Sequence, residues 1–466
     1  MSFSRRRFLS TATGLAFAGY ASLAAARDGS VPETYRNEVP GYGPLKPDPL
    51  GLFDLPEGFS YRVVSQAGET MSDGLHVPYK ADGMACFPGG GTRVILARNH
   101  ELKPGDLNHG PLGIGRAAAK VLDPELAYDL DADGYPLPGG VTLLHYDLAE
   151  RRLIGQHLAL AGTAVNCAGG ATPWGSWLTC EETLARAGQD GVGKDHGWVF
   201  EVPSAARGLV RAEPLKALGR FQHEAAAVDR RSGAVYMTED VWDTKGLFYR
   251  FLPDTPGELH RGGRLQALAF KGGGDSRNHD GVFWRQGDWK EVVWVDLEGV
   301  DNPHNDLALR GHERGAAFFA RGEGIHWGDG ELYFACTSGG AAKQGQIMRY
   351  VPSRFEGRPE EGSEPGRIQL FVEPQDEKVL NYGDNLTVAP WGHLFVCEDN
   401  YSKDKKNHLR GITPQGRVYT VGRNVFRDNA EIAGVCFSPD GSTLFVNIYW
   451  PGVTLAITGP WNEFRG

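Results

Sequence analysis

The chain has 466 residues, with 48 Lys and Arg against 58 Asp and Glu, for a formal net charge of −10. No basic excess is present to neutralise nucleic-acid phosphates or anionic lipid, so that sign argues against a nucleic-acid binder or a membrane-surface protein. A hydrophobic fraction of 41% supplies a globular core, 64 glycines and 28 prolines favour tight turns and β architecture, and six cysteines are too few for a disulfide scaffold.

The first residues read as an address. Arg5-Arg6-Arg7-Phe8-Leu9 precedes a moderately apolar stretch and then Ala24-Ala25-Ala26. A twin arginine, a weak apolar region and an A-x-A site predict a Tat export signal over residues 1–26, with an ordinary Sec signal as the alternative. Residues 27–466 are then one domain, periplasmic or secreted. No later segment approaches 18 consecutive apolar residues, so no stable membrane association is expected. Tat substrates travel folded, often with metal already inserted, which hints at a metalloprotein whose thiols stay reduced.

Along the rest of the chain one unit recurs six times: a short strand, a turn rich in Pro, Asp and Gly, and a second strand ending in polar or acidic residues. The second strands are expected at 93–97, 176–179, 234–238, 331–335, 393–397 and 442–447, preceded by the turns PGGG, TPWG, RRSG, WGDG, APWG and SPDG. Leu96 to Phe445 spans five steps of about 70 residues, longer than the ~40–50 of a minimal propeller blade. The pattern therefore predicts an all-β chain, a six-bladed β-propeller with long inter-strand loops. A pair of β-sandwiches is the runner-up.

A hairpin is antiparallel, so the start of its first strand and the end of its second lie at one edge. At the starts stand Asp82, Asn166, Glu224, Glu323, Asp384-Asn385 and Glu431; at the ends stand Asn99-His100-Glu101, Cys180-Glu181-Glu182, Glu239-Asp240, Ser338, Glu398-Asp399-Asn400 and Asn447. Both sets would face one mouth of the channel. So many carboxylates in one place would repel one another, and bound cations are the economical remedy. Oxygen ligands suit Ca²⁺, while Cys180, the single thiolate candidate, suits a softer transition metal.

Each of these residues also has a plainer reading. An acidic strand end is commonly a solvated loop residue, and His223 alone is more often packed than catalytic. Cys86, Cys167, Cys336, Cys397 and Cys436 are expected as small apolar core residues. Asp129-x-Asp131-x-Asp133-Gly134 opens like a calcium loop, but Gly140 stands where an EF-hand needs Glu, so a polar turn is expected. No GxSxG elbow, P-loop or GxGxxG fingerprint stands out.

The run from Asn166 to Glu182, NCAGGATPWGSWLTCEE, resembles the signature of PhoX-type alkaline phosphatases. Arg98-Asn99-His100-Glu101, Phe221-Gln222-His223-Glu224, Thr238-Glu239-Asp240, Arg321-Gly322-Glu323-Gly324 and Gly383-Asp384-Asn385 are similar to further stretches of that family. The resemblance implies a propeller phosphomonoesterase holding Fe³⁺ and Ca²⁺, with a metal-bound oxygen attacking phosphorus. It implies Cys180 as the iron thiolate and Glu224 and Glu323 as iron or bridging carboxylates. Glu181, Glu239, Asp240, Asp384 and Glu398 would be calcium or outer ligands. Arg321 would hold the phosphate with help from Asn166 or His223, although a salt bridge to a neighbouring carboxylate is its plainer role. Small-molecule phosphomonoesters and the Tat machinery are the expected partners of a monomer. The rival functions are a calcium-dependent propeller lactonase and a non-catalytic, calcium-stabilised binding propeller.

Overall fold

The computed structural model describes residues 33–400, 406–426 and 430–466. The expected export signal, residues 1–26 with its twin arginine, lies outside them. Among the described residues no helix is long and apolar enough to cross a membrane.

The predicted hairpins form where the turns place them. Their second strands are Arg93–His100, Ser176–Glu181, Val235–Glu239, Leu332–Cys336, Leu394–Glu398 and Thr443–Ile448. Their first strands are Ala81–Gly90, Asn166–Ala171, His223–Val228, Gly322–Trp327, Gly383–Val388 and Ile432–Phe437. Each first strand packs beside the next in chain order, and the sixth returns to the first. The sheets build outward from this ring, which makes an all-β, propeller-like fold rather than stacked sandwiches.

By hydrogen bonding the described residues form five sheets. The hairpins at 223–239 and 322–336 belong to one nine-stranded sheet, because Trp289–Asp296 pairs with Arg367–Val372 at their outer edges. The last hairpin is completed by a strand from the opposite end of the chain, Ser60–Gln66, antiparallel to Val453–Thr458. That pairing covers an edge that would otherwise expose unpaired N–H and C=O groups.

Small residues are required where the ring closes. A Cβ on Gly83 would lie 2.4 Å from the Ala168 Cα, one on Gly170 2.0 Å from the Ala226 carbonyl oxygen, and one on Gly324 2.6 Å from the Asn385 Cα. The glycines of the NCAGG run are thus packing requirements of the inner ring. Larger side chains form clusters between the sheets, such as Tyr236, Phe248, Phe319 and Phe334. Cys336, Cys397 and Cys436 are buried among apolar residues, as expected. The Asp131 turn is a polar turn: Asp131 accepts from the amides of Asp133 and Tyr135, and Arg116 pairs with both aspartates.

Candidate metal centre

Every first strand carries a β-bulge at the same end. The register shifts fall between Ala81 and Met84, Asn166 and Gly169, His223 and Ala226, Gly322 and Ile325, Gly383 and Leu386, and Ala433 and Cys436. A bulge adds a residue, bends the strand and re-aims its side chain. The re-aimed positions hold Asp82, Cys167, Glu224, Glu323 and Asp384, and the sixth holds Gly434.

A second set comes from the ends of the second strands, where successive side chains point to opposite sides. Glu101, Glu182, Asp240 and Asp399 line the same cavity of about 560 Å³ as Asp82, Cys167, Glu323, Asp384 and Glu431. Glu224, fully buried, adjoins it. Among the described residues, Lys103 and Arg321 are the cations in the wall.

The donor atoms of Cys167, Glu182 and Glu224 lie within 4.8 Å of one another, and so do those of Glu224, Glu323 and Asp384. Glu224 belongs to both groups. The Cys167 thiol sits 3.6 Å from an Asp82 carboxylate oxygen. Both Glu224 oxygens and Asp82 Oδ1 are buried without a hydrogen-bond partner. Burial first, and then neighbouring carboxylates, hold Asp82, Glu182, Glu224, Glu323 and Glu431 well above the usual carboxylate range, and Asp384 is pushed up to about 7. Orphaned carboxylate oxygens and a thiol converging at this spacing fit hard and soft cations, whose charge inverts that pKa pattern.

Arg321 enters from the residue before the Gly322–Trp327 strand, at φ +57°. Its guanidinium bonds Asp240 at 2.6 and 2.9 Å and Glu323 at 3.1 Å, and its Cζ lies 4.1 Å from the centre of the Trp242 ring. The salt-bridge role and the cavity-wall role are therefore both present in one side chain.

Of the residues expected at the site, Glu224, Glu323, Asp384, Asp240 and Arg321 are brought together at the cavity and six others are not. Cys180 is fully buried in a cluster with Leu178, Val199 and Phe221, and the thiol facing the carboxylates is that of Cys167. Glu181 accepts from the amides of Ala164 and Gly197 and from His196 at 2.7 Å. Glu239 accepts from the Leu247 amide and the Tyr249 hydroxyl, and Glu398 from the amides of Asn381 and His408. These three carboxylates face backward and tie down loops, because the period of two sends only their C-terminal neighbours into the cavity. Asn166 bonds Thr163 and Thr179. His223 stacks on Phe221 at 3.5 Å and bonds the Gly219 carbonyl, and burial lowers its pKa to about 3.

Asp82, Glu101, Glu182, Asp399 and Glu431 belong to the acidic mouth read from the sequence, with no individual ligand role given to them, whereas Cys167, expected in the core, faces the cavity instead. The signal for Cys167 is in the hairpin starts: Ala81-Asp82-Gly83, His223-Glu224-Ala225, Gly322-Glu323-Gly324 and Gly383-Asp384-Asn385 align with Asn166-Cys167-Ala168, with the residue on the bulge in the middle.

The sequence matches the family described as alkaline phosphatase PhoX over residues 40–129 and 145–452. Among solved structures, Pseudomonas fluorescens PhoX in complex with vanadate, a transition-state analogue, is 19% identical over 91% of this chain and 98% of that one, with a TM-score of 0.63. XC5397, a gluconolactonase from Xanthomonas campestris, is 12% identical over 91% of this chain and 100% of that one, with a TM-score of 0.41. The Cps50 (Swd1) β-propeller domain of Myceliophteria thermophila is 9% identical over 86% and 99%, with a TM-score of 0.39. No curated protein matches the sequence. With the acidic cavity and its thiol in place, and most of the chain matched, the protein belongs to the alkaline phosphatase PhoX family and is a metal-dependent phosphomonoesterase.

Proposed function

We propose that the cavity holds iron and calcium together and releases inorganic phosphate from small phosphomonoesters outside the cytoplasm. The observation that carries this is the convergence of one thiol with orphaned carboxylates around Glu224. Cys167, Glu182 and Glu224 would hold Fe³⁺: a thiolate among oxygens suits a transition metal rather than Ca²⁺, and iron is what the family resemblance implies. Glu224, Glu323 and Asp384, with Asp82, Asp399 and Glu431 near them, offer the oxygen-rich environment that suits Ca²⁺. When bound, such cations supply Lewis-acid charge to the phosphoryl and leaving oxygens. Arg321 holds the phosphate, because Asp240 and Trp242 fix its planar fork at the cavity wall before substrate arrives. Glu181, Glu239 and Glu398 act from behind by anchoring the loops that carry Glu182, Asp240 and Asp399. The vanadate complex of the Pseudomonas relative, a transition-state analogue, supports phosphoryl transfer as the reaction.

We read the six bulged strands as the inner strands of six blades, two of them fused at their outer edges into the nine-stranded sheet. Family membership sets aside the lactonase and the non-catalytic propeller. Protein purified without chelator is expected to contain iron and calcium and to hydrolyse a chromogenic phosphomonoester at alkaline pH. Full activity with calcium alone would overturn the mixed centre. Export by the Tat route is the companion proposal, resting on Arg5 and Arg6. A twin-lysine variant should stay in the cytoplasm, and a normal periplasmic yield of it would remove that proposal.

A further inference from the structure

Trp242 stands on the cavity wall with 69% of its surface exposed. It sits in the tight turn that links Val235–Glu239 to the next strand, Phe248–Pro253, where the Val241 carbonyl accepts from the Thr244 amide at 2.8 Å and Thr244 adopts φ +62°. Its ring lies over the Arg321 guanidinium, 4.1 Å from Cζ to ring centre. An indole whose only work was to shield the Arg321–Asp240 pair would be buried against it. This one keeps most of its surface in solvent, beside the group that meets phosphate.

We propose that Trp242 is a leaving-group platform, and that the site favours phosphomonoesters whose leaving oxygen is borne on or next to a flat ring, aryl phosphates above all, over those of small alkyl alcohols. This rests on the phosphatase reading of the cavity. Arg321 fixes where the phosphate sits, so the first ring of an ester reaches the wall next to that guanidinium, where the indole stands. A ring stacked there meets a rigid surface with only two side-chain torsions, already held by its contact with the arginine, so little order is lost on binding. Pro104, Leu184 and Ala185 line the same cavity and add apolar surface to it. Stacking on an aromatic face tolerates many rings because each offers a π surface. The device therefore selects a class of ester and not a single compound. Trp242 is a specificity-determining residue here; it touches the part of the substrate that leaves, not the phosphorus.

The test uses metal-loaded protein and two non-hydrolysable ligands, phenylphosphonate and methylphosphonate, with dissociation constants from calorimetry. Turnover of phenyl phosphate and glycerol phosphate is measured alongside. Trp242→Ala should weaken phenylphosphonate about tenfold more than methylphosphonate, which corresponds to about 1.4 kcal/mol. It should lower kcat/KM for phenyl phosphate about tenfold more than for glycerol phosphate, mainly through KM. Trp242→Phe should restore most of the preference. If Trp242→Ala weakens both phosphonates equally, or if Trp242→Phe behaves like Trp242→Ala, Trp242 only props Arg321 and the platform is refuted. If wild-type protein binds neither phosphonate and hydrolyses neither ester, the phosphatase reading falls, and the platform with it.

Discussion

Two serine substitutions decide where the soft ligand is. Cys180 is fully buried among Leu178, Val199 and Phe221, so Cys180→Ser places a hydroxyl in an apolar pocket. An unsatisfied buried donor costs about 1–3 kcal/mol. Unfolding entropy near ~2.1 cal/mol/K per residue gives a domain of this length about 0.9 kcal/mol/K, so the melting point should fall by roughly 1–3 °C. Metal content and kinetics of the folded protein should stay as they were. Cys167 differs, since its thiol faces Glu182, Glu224 and Asp82 and is half-buried. Cys167→Ser keeps a donor for Asp82 but removes the thiolate, the one soft donor of the set. Iron per chain should fall below about a tenth of wild type. Because even outer-shell changes at metal sites typically cost 10–100-fold, kcat/KM should fall at least about 100-fold. Elemental analysis, differential scanning calorimetry and phosphatase assays on both variants read all three quantities. Iron lost from Cys180→Ser and kept by Cys167→Ser would refute the placement of the centre.

Arg321→Lys should lower kcat/KM on the order of 10²-fold and weaken inhibition by inorganic phosphate, because an ammonium cannot reproduce the two-point fork. Retained metal with unchanged kinetics would count against it. Burial alone would lower the His196 pKa, but the carboxylates of Glu181 and Asp129 hold it at about 9. A histidine raised above its unfolded value of about 6.5 stabilises the fold fully below that pH and loses the contribution as pH rises through 9, about 3 kcal/mol in all. His196→Asn should therefore flatten the decline in unfolding free energy between about pH 6.5 and 9, and an unchanged slope would contradict the assignment. Stripping the cations should lower the melting point more at pH 8 than at pH 5. The carboxylates around Glu224 sit above their unfolded values, with Asp384 at about 7, so the stripped fold loses stability as pH rises through that range. A drop equal at both pH values would show that the carboxylates do not hold the cations.

Local chemistry alone determined the hairpins, since turns such as APWG and SPDG and the strands beside them need no distant partner, and those elements form where expected. The acidic rim was legible for the same reason: antiparallel pairing puts strand starts and ends at one edge whatever the rest of the chain does. Which residue of each acidic pair faces the cavity was not. That choice depends on the phase of each second strand, since a one-residue change exchanges Glu181 for Glu182, Glu239 for Asp240 and Glu398 for Asp399. On the first strands the bulges decide: Cys167, on its bulge, faces the cavity, while Cys180 is buried in the core, although both cysteines lie in one motif. Sheet membership was also a tertiary decision. Nothing local to residues 289–296 specifies pairing with residues 367–372, nor residues 60–66 with 453–458; edge strands brought together by the closed ring pair because unpaired backbone groups there are costly.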